Sequence, residues 1–162
     1  MIAVRAALVS CAALRPSRDE DALHLDHLFD GTTWSERSVT GRLVAVGMDN
    51  VPVGHVAWGV ASAAVTQSLH EAMVGPSQID GGVLEVVDLV VDPCHRGLGI
   101  GGLLLDAAMT AVRDADRVPV ISCRMDDAPA FLLCHSRGFI IRERLIIASA
   151  GGFYSMVGEP RC

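Results

Sequence analysis

The sequence contains no lysine; all thirteen of its basic side chains are arginines. That absence removes the nucleotide-binding P-loop, whose Gly-x-x-x-x-Gly-Lys-Ser/Thr pattern needs an ammonium against the phosphates. Aromatic residues are scarce, 4% against 51% hydrophobic overall, so alanine, valine and leucine must fill the interior. Apolar surface is left over, and a homodimer that covers it is an expectation. Cys-x-x-Cys pairs are missing as well. Cys11, Cys94, Cys123, Cys134 and Cys162 are odd in number and scattered, which fits reduced thiols in a cytoplasmic setting better than a disulfide framework or a zinc knuckle. No uncharged apolar run reaches the ~18 residues of a membrane span. The run between Arg5 and Ser10 is four residues, short of the roughly seven that a signal peptide needs. A net charge of −6 gives no basic face for nucleic acid, and it favours a cationic acceptor.

What is present centres on residues 85–105. Val86 to Val91 is rich in β-branched residues and ends at Asp92-Pro93, where proline removes a donor and closes the strand. Gly97, Gly99, Gly101 and Gly102 follow, and Leu103 to Leu105 with Ala107 and Ala108 then begin an apolar helical face. Glycines without a Cβ, at the amide-rich and partly positive start of a helix, make a site for an anion, a phosphate or a pyrophosphate. Gly97-x-Gly99-x-x-Gly102 also fits a dinucleotide fingerprint. That motif opens a doubly wound sheet near the N-terminus, however, and here more than half of the chain precedes it.

The chain of 162 residues is expected to form a single domain over 1–162, with 1–11 as an N-terminal extension. Val4 to Leu14 reads as a first strand broken by Arg15-Pro16, and Ser17-Arg-Asp-Glu20 as a capping box for a helix over 21–29. Ala22, Leu25, Leu28 and Phe29 share its apolar face; His24, Asp26 and His27 lie on the polar side as solvated surface, so no metal is expected. A short second helix is expected over Thr33 to Arg42. A hairpin follows, Leu43 to Met48 and Val53 to Val60, joined at Asp49-Asn50. Ala61 to Gly82 reads as a long connection carrying His70 and Glu71. Beyond the glycine turn come a helix over Leu103 to Val112, a strand over Val118 to Cys123, and a helix from Asp127 capped by Gly138. Two strands end the chain, Ile140 to Ile147 and Phe153 to Val157, with Ala148 to Gly152 as the turn between them.

Val91-Asp-Pro-Cys-His-Arg-Gly-Leu-Gly-Ile-Gly101 closely resembles the acetyl-CoA pyrophosphate loop of the GNAT superfamily of N-acetyltransferases. The helix ending in Ser136-Arg-Gly-Phe139 resembles that family's second block, Asn-x-x-Ala-x-x-Leu-Tyr-x-x-x-Gly-Phe. Ala130, Leu133, Gly138 and Phe139 fall in place, whereas Asp127 stands where asparagine is usual and Cys134 where tyrosine is usual. The resemblance runs from Leu14 to the C-terminus and is strongest over 85–139. It implies an α/β (α+β) GNAT fold, a central mixed and mostly antiparallel sheet of six to seven strands flanked by about four helices. It also implies acetyl-CoA as co-substrate, no metal, and direct transfer in a ternary complex to a primary amine of a small molecule or peptide.

The same resemblance carries residue roles. The main chain of Leu89, Val90 and Val91 would hydrogen-bond the pantetheine arm, and the amides of Arg96, Gly97, Leu98, Gly99, Ile100 and Gly101 would hold the pyrophosphate. Asp127 joins the cofactor-binding set, while Trp34, Glu36 and Arg37 are candidate acceptor contacts. An acceptor amine must lose a proton before it attacks a thioester. Glu85 is the candidate base, with Asp88 expected on the opposite face by strand alternation. Cys134 or Tyr154 is the candidate acid for the departing thiolate. A covalent acyl-Cys134 route is not supported, because His135 beside it in a helix points to another face. The unusual Cys134 also keeps open a non-catalytic, acyl-CoA-binding sensor or partner module.

Overall fold

The computed structural model describes residues 12–28, 39–72, 82–147 and 151–158. Its elements in chain order are β1 (Ala13–Pro16), α1 (Ala22–Leu25, between short 3-10 turns), β2 (Val39–Val46), β3 (Pro52–Val60) and α2 (Ala63–Ala72). Then follow β4 (Val83–Val91), α3 (Ile100–Asp114), β5 (Val118–Arg124), α4 (Ala128–Ser136), β6 (Phe139–Ile147) and β7 (Gly151–Gly158). The seven strands run in the order β1-β2-β3-β4-β5-β7-β6. The β4–β5 pair is parallel, while β1–β2, β2–β3, β5–β7 and β6–β7 are antiparallel. This is the mixed, mostly antiparallel sheet that the resemblance implies. Backbone contacts divide the chain into two compact units, Met1–Gly59 with Asp88–Ala108, and Val60–Val87 with Met109–Cys162. Both β4 and α3 contribute residues to each.

In the first unit, Leu25, Val44 and Val46 form a buried cluster to which Leu28 and Val90 add. Leu25 is the inward residue expected of α1, but the capping differs from the expected Ser17 to Glu20 box. The Arg18 amide donates to Asp21 Oδ2 at 2.8 Å, and Arg15 clamps both oxygens of the same carboxylate at 2.7 Å. Asp21 is only 1% exposed, so this two-pronged pairing is what makes its burial tolerable. The arginine beside it holds its carboxyl below the usual range.

Strand β1 runs through Arg15 and Pro16, where the sequence pattern placed a break. As the outermost strand it tolerates a residue that cannot donate to a ladder. Val39 to Arg42, expected in a second helix, are the start of β2; residues 29–38 and 1–11 lie outside the described residues. The β2–β3 hairpin turns at Asn50, with φ of 61°, a left-handed conformation that asparagine adopts readily.

In the second unit, Ala61, Val65, Leu69, Val120 and Val157 form the core, with Val83 and Val118 packed against it. Val65 and Leu69 are one helical turn apart on α2, and Ser62 Oγ accepts from the Val65 amide at 3.3 Å as its N-terminal cap. The stretch that opens the expected connection is therefore a ten-residue helix. Residues 73–81 lie outside the described residues, and nothing is described of the His70 and Glu71 side chains.

Candidate functional site

The last residues of β4 are held in an irregular backbone. Asp88 has φ of 53°, in the left-handed region that breaks the regular pleat, so the alternation argument that set Asp88 opposite Glu85 does not carry through this residue. The Asp88 carbonyl accepts a hydrogen bond from Nδ1 of His55 on β3, at 3.2 Å. His55 is 1% exposed, and burial pushes its imidazole down to about 4. A neutral ring facing a carbonyl must carry its proton on Nδ1. Further on, the Asp92 amide donates to the Val53 carbonyl at 2.9 Å. Asp92 Oδ1 accepts from the Cys94 amide at 2.8 Å and lies 3.2 Å from His95 Nδ1.

The turn after β4 combines a folded-back arginine with glycines in left-handed conformations. Arg96 folds its Nε back onto the Val91 carbonyl at 3.1 Å. Gly97 and Gly99 have φ of 74° and 85°, and a Cβ at Gly97 would meet nothing within 4 Å, so glycine is needed there for conformation rather than for room. The first bond of the α3 ladder runs from the Leu103 amide to the Gly99 carbonyl at 3.0 Å. The amides of Ile100, Gly101 and Gly102 therefore precede the ladder, and among the described residues they meet no helical acceptor. Arg96, Gly97 and Gly99 are exposed. The amides of Ile100, Gly101 and Gly102 thus stand at the positive end of the helix dipole, beside the exposed Gly97 and Gly99, while the Arg96 amide is taken by the Pro93 carbonyl at 3.4 Å. The structure brings together Leu89 to Val91 and Arg96 to Gly101 in the first unit; Trp34, Glu36 and Arg37 lie outside the described residues.

The remaining candidates lie in the second unit. Glu85 is 5% exposed. Its Oε1 accepts from Ser122 Oγ at 2.9 Å and its Oε2 from the Ser62 amide at 3.3 Å. Both serines escaped the sequence reading. Ser62 was detectable as a cap preceding Val65 and Leu69; Ser122, one polar residue inside an apolar strand, gave no signal. Cys134 is 1% exposed, and burial, with Cys123 and Asp127 nearby, pushes its thiol up to about 12. It is a poor proton donor to a thiolate whose own ordinary value is near 8.5. The Tyr154 ring is half-buried and lies 5.6 Å from Phe131, which in turn stacks on His135 at 5.9 Å. Asp127 Oδ1 caps α4 through the Ala130 amide at 3.0 Å. No group of three or more His, Cys, Asp or Glu side chains that could hold a metal occurs among the described residues. None of their helices is long and apolar enough to cross a membrane.

A mixed sheet whose fourth strand ends in a bare-amide turn opening a helix defines the class of acyl-CoA-dependent N-acyltransferases. The chain belongs to the acetyltransferase (GNAT) family, whose profile matches residues 8–139. Solved structures agree on the fold. A NAA60 from Arabidopsis thaliana, in complex with a bisubstrate analogue, superposes with a TM-score of 0.73 at 16% identity, covering 91% of this chain and 98% of that one. YncA from Salmonella typhimurium, a putative acetyltransferase with its cofactor acetyl-CoA, gives 0.65 at 19% identity over 91% and 92%. A spermidine N-acetyltransferase, a SpeG mutant from Vibrio cholerae, gives 0.66 at 13% identity over 91% and 93%. No curated protein matches the sequence at a significant level.

Proposed function

We propose that the protein transfers the acetyl group of acetyl-CoA directly, in a ternary complex, to a primary amine of a small molecule or peptide. The observation that carries this reading is the turn from Arg96 to Gly101, whose last amides, at Ile100 and Gly101, open α3 after β4 without a helical acceptor. These amides take the pyrophosphate, and the main chain of Leu89 to Val91 pairs with the pantetheine arm. Solved relatives of the same fold hold acetyl-CoA or a bisubstrate analogue, which supports acetyl-CoA as the co-substrate.

Glu85, wedged between the Ser62 amide and the Ser122 hydroxyl, is assigned the base, receiving the amine proton through water rather than by direct contact. The amine nitrogen then forms its bond to the thioester carbon, the carbon–sulfur bond breaks, and the sulfur takes a proton. Tyr154 is assigned that last step over Cys134, because a buried thiol at about 12 holds its proton too firmly. Asp127 contributes by fixing the start of α4. Trp34 and Glu36 are assigned to the acceptor side, and the chain's net charge of −6 suits a cationic amine. A cytoplasmic location and a homodimer belong to the same proposal. They rest on the free thiols of Cys94, Cys123 and Cys134 and on the aliphatic composition.

The test is release of free thiol from acetyl-CoA across a panel of polyamines, aminoglycosides and peptides with free N-termini. Amine-dependent release supports transfer. The buried Cys134 thiol favours a second reading, an acyl-CoA-binding module without turnover, and tight binding with no thiol release from any amine is its signature.

A further inference from the structure

Two hydrogen bonds and one close backbone approach tie β3 to the end of β4, and they come from consecutive residues. The Val53 carbonyl accepts from the Asp92 amide at 2.9 Å. Gly54 presents no Cβ where one would stand 3.1 Å from the Val90 carbonyl and 3.0 Å from a Leu104 methyl. His55 donates from Nδ1 to the Asp88 carbonyl at 3.2 Å. The two hydrogen bonds hold residues 88 and 92, which bracket the main chain assigned to the pantetheine arm, and Gly54 leaves room for the Val90 carbonyl between them. Asp88 is also the one non-glycine residue of β4 with a positive φ, a conformation that persists only where its surroundings hold it.

We propose that His55 is a positioning residue of the acyl-CoA site: its Nδ1–H fixes the Asp88 carbonyl and so sets the direction in which the Leu89 to Val91 peptide groups face the co-substrate. The inference rests on the reading of this segment as the acyl-CoA binding strand. A side chain that only fills the core serves equally well as leucine. A donor at the Nδ1 position is irreplaceable by shape alone, and asparagine places its side-chain amide there, whereas glutamine carries it one bond further out. A misdirected peptide edge loses alignment with its guest, which costs binding and rate together.

The experiment compares His55→Asn, His55→Gln and His55→Leu with the unchanged protein. Acetyl-CoA affinity is measured by calorimetry, KM and kcat by thiol release, and folding by circular dichroism. The expected result is that His55→Asn stays within about threefold of the unchanged protein, while His55→Gln and His55→Leu bind acetyl-CoA about tenfold or more weaker with a higher KM. Should His55→Leu fail to fold, the two amides decide the matter, because both remain polar and compact. Equal acetyl-CoA affinity in the asparagine and glutamine variants overturns the inference and leaves the functional reading standing. Absence of acetyl-CoA binding by the unchanged protein overturns both.

Discussion

Cys134 shows how a single side chain can carry a motif position without its chemistry. It stands where the family resemblance places a tyrosine, yet it is buried, and its thiol is pushed up to about 12. Replacement by alanine is expected to leave kcat within about threefold and its pH profile unchanged, because a buried thiol at about 12 holds its proton more firmly than an ordinary tyrosine does. Tyr154→Phe is expected to lower kcat by about a hundredfold in the same thiol-release assay; equal rates in that variant remove tyrosine from the mechanism. His55 makes a stability prediction of its own. Its value is about 4 when folded against about 6.5 when unfolded, so the unfolded chain binds a proton first as pH falls. Stability is fully present above about pH 6.5 and declines toward pH 4, by about 3 kcal/mol at the limit. The groups acting on the ring are the Asp88 carbonyl, Arg42 and Asp21, and Asp21, itself lowered, titrates below that window. Urea midpoints measured across the window check this: the slope is expected in the unchanged protein and absent in a folded His55→Leu, and a slope that survives contradicts the assignment.

At the scale of elements, the parts that sequence made legible are those in which local chemistry and tertiary environment agree. The valine run of β4, the Asp92-Pro93 stop and the glycines of the turn each have one conformation that suits them. They led to the strand, the turn and the helix that the structure contains. Helix α2 was hidden because Val65 and Leu69 are the two large aliphatic residues in its sequence, so its periodicity is thin and its cap at Ser62 was the better signal. Pro16 misled in the opposite way, since a proline at a sheet edge loses no ladder bond. The positive φ of Asp88 and the buried partners of Glu85 are tertiary facts that no local pattern encodes.

Two element-level predictions follow from the caps and turns. Asp127→Asn, which restores the usual family residue, is expected to keep α4 within about 0.5 kcal/mol, because either side chain accepts from the Ala130 amide; Asp127→Ala is expected to cost about 1 kcal/mol by urea denaturation. Gly99→Val forces a branched residue into φ of 85°. It is expected to lower stability by roughly 1–3 kcal/mol, as well as weakening acetyl-CoA by about tenfold or more, with any residual binding read on the folded fraction.

Taken as a whole molecule, the chain carries the glycine turn in one compact unit and the Glu85 carboxylate and the Tyr154 phenol in the other, and β4 and α3 each contribute residues to both units. Family membership over residues 8–139 fixes the class of reaction. Every assignment of base, acid and acceptor depends on one earlier event, capture of an acyl-CoA by the amides that open α3. Titration of the purified, unmodified protein with acetyl-CoA in a calorimeter tests that event most directly. One molecule bound per chain, with a dissociation constant on the order of micromolar, is the result predicted; no heat of binding with acetyl-CoA or any longer acyl-CoA contradicts the account.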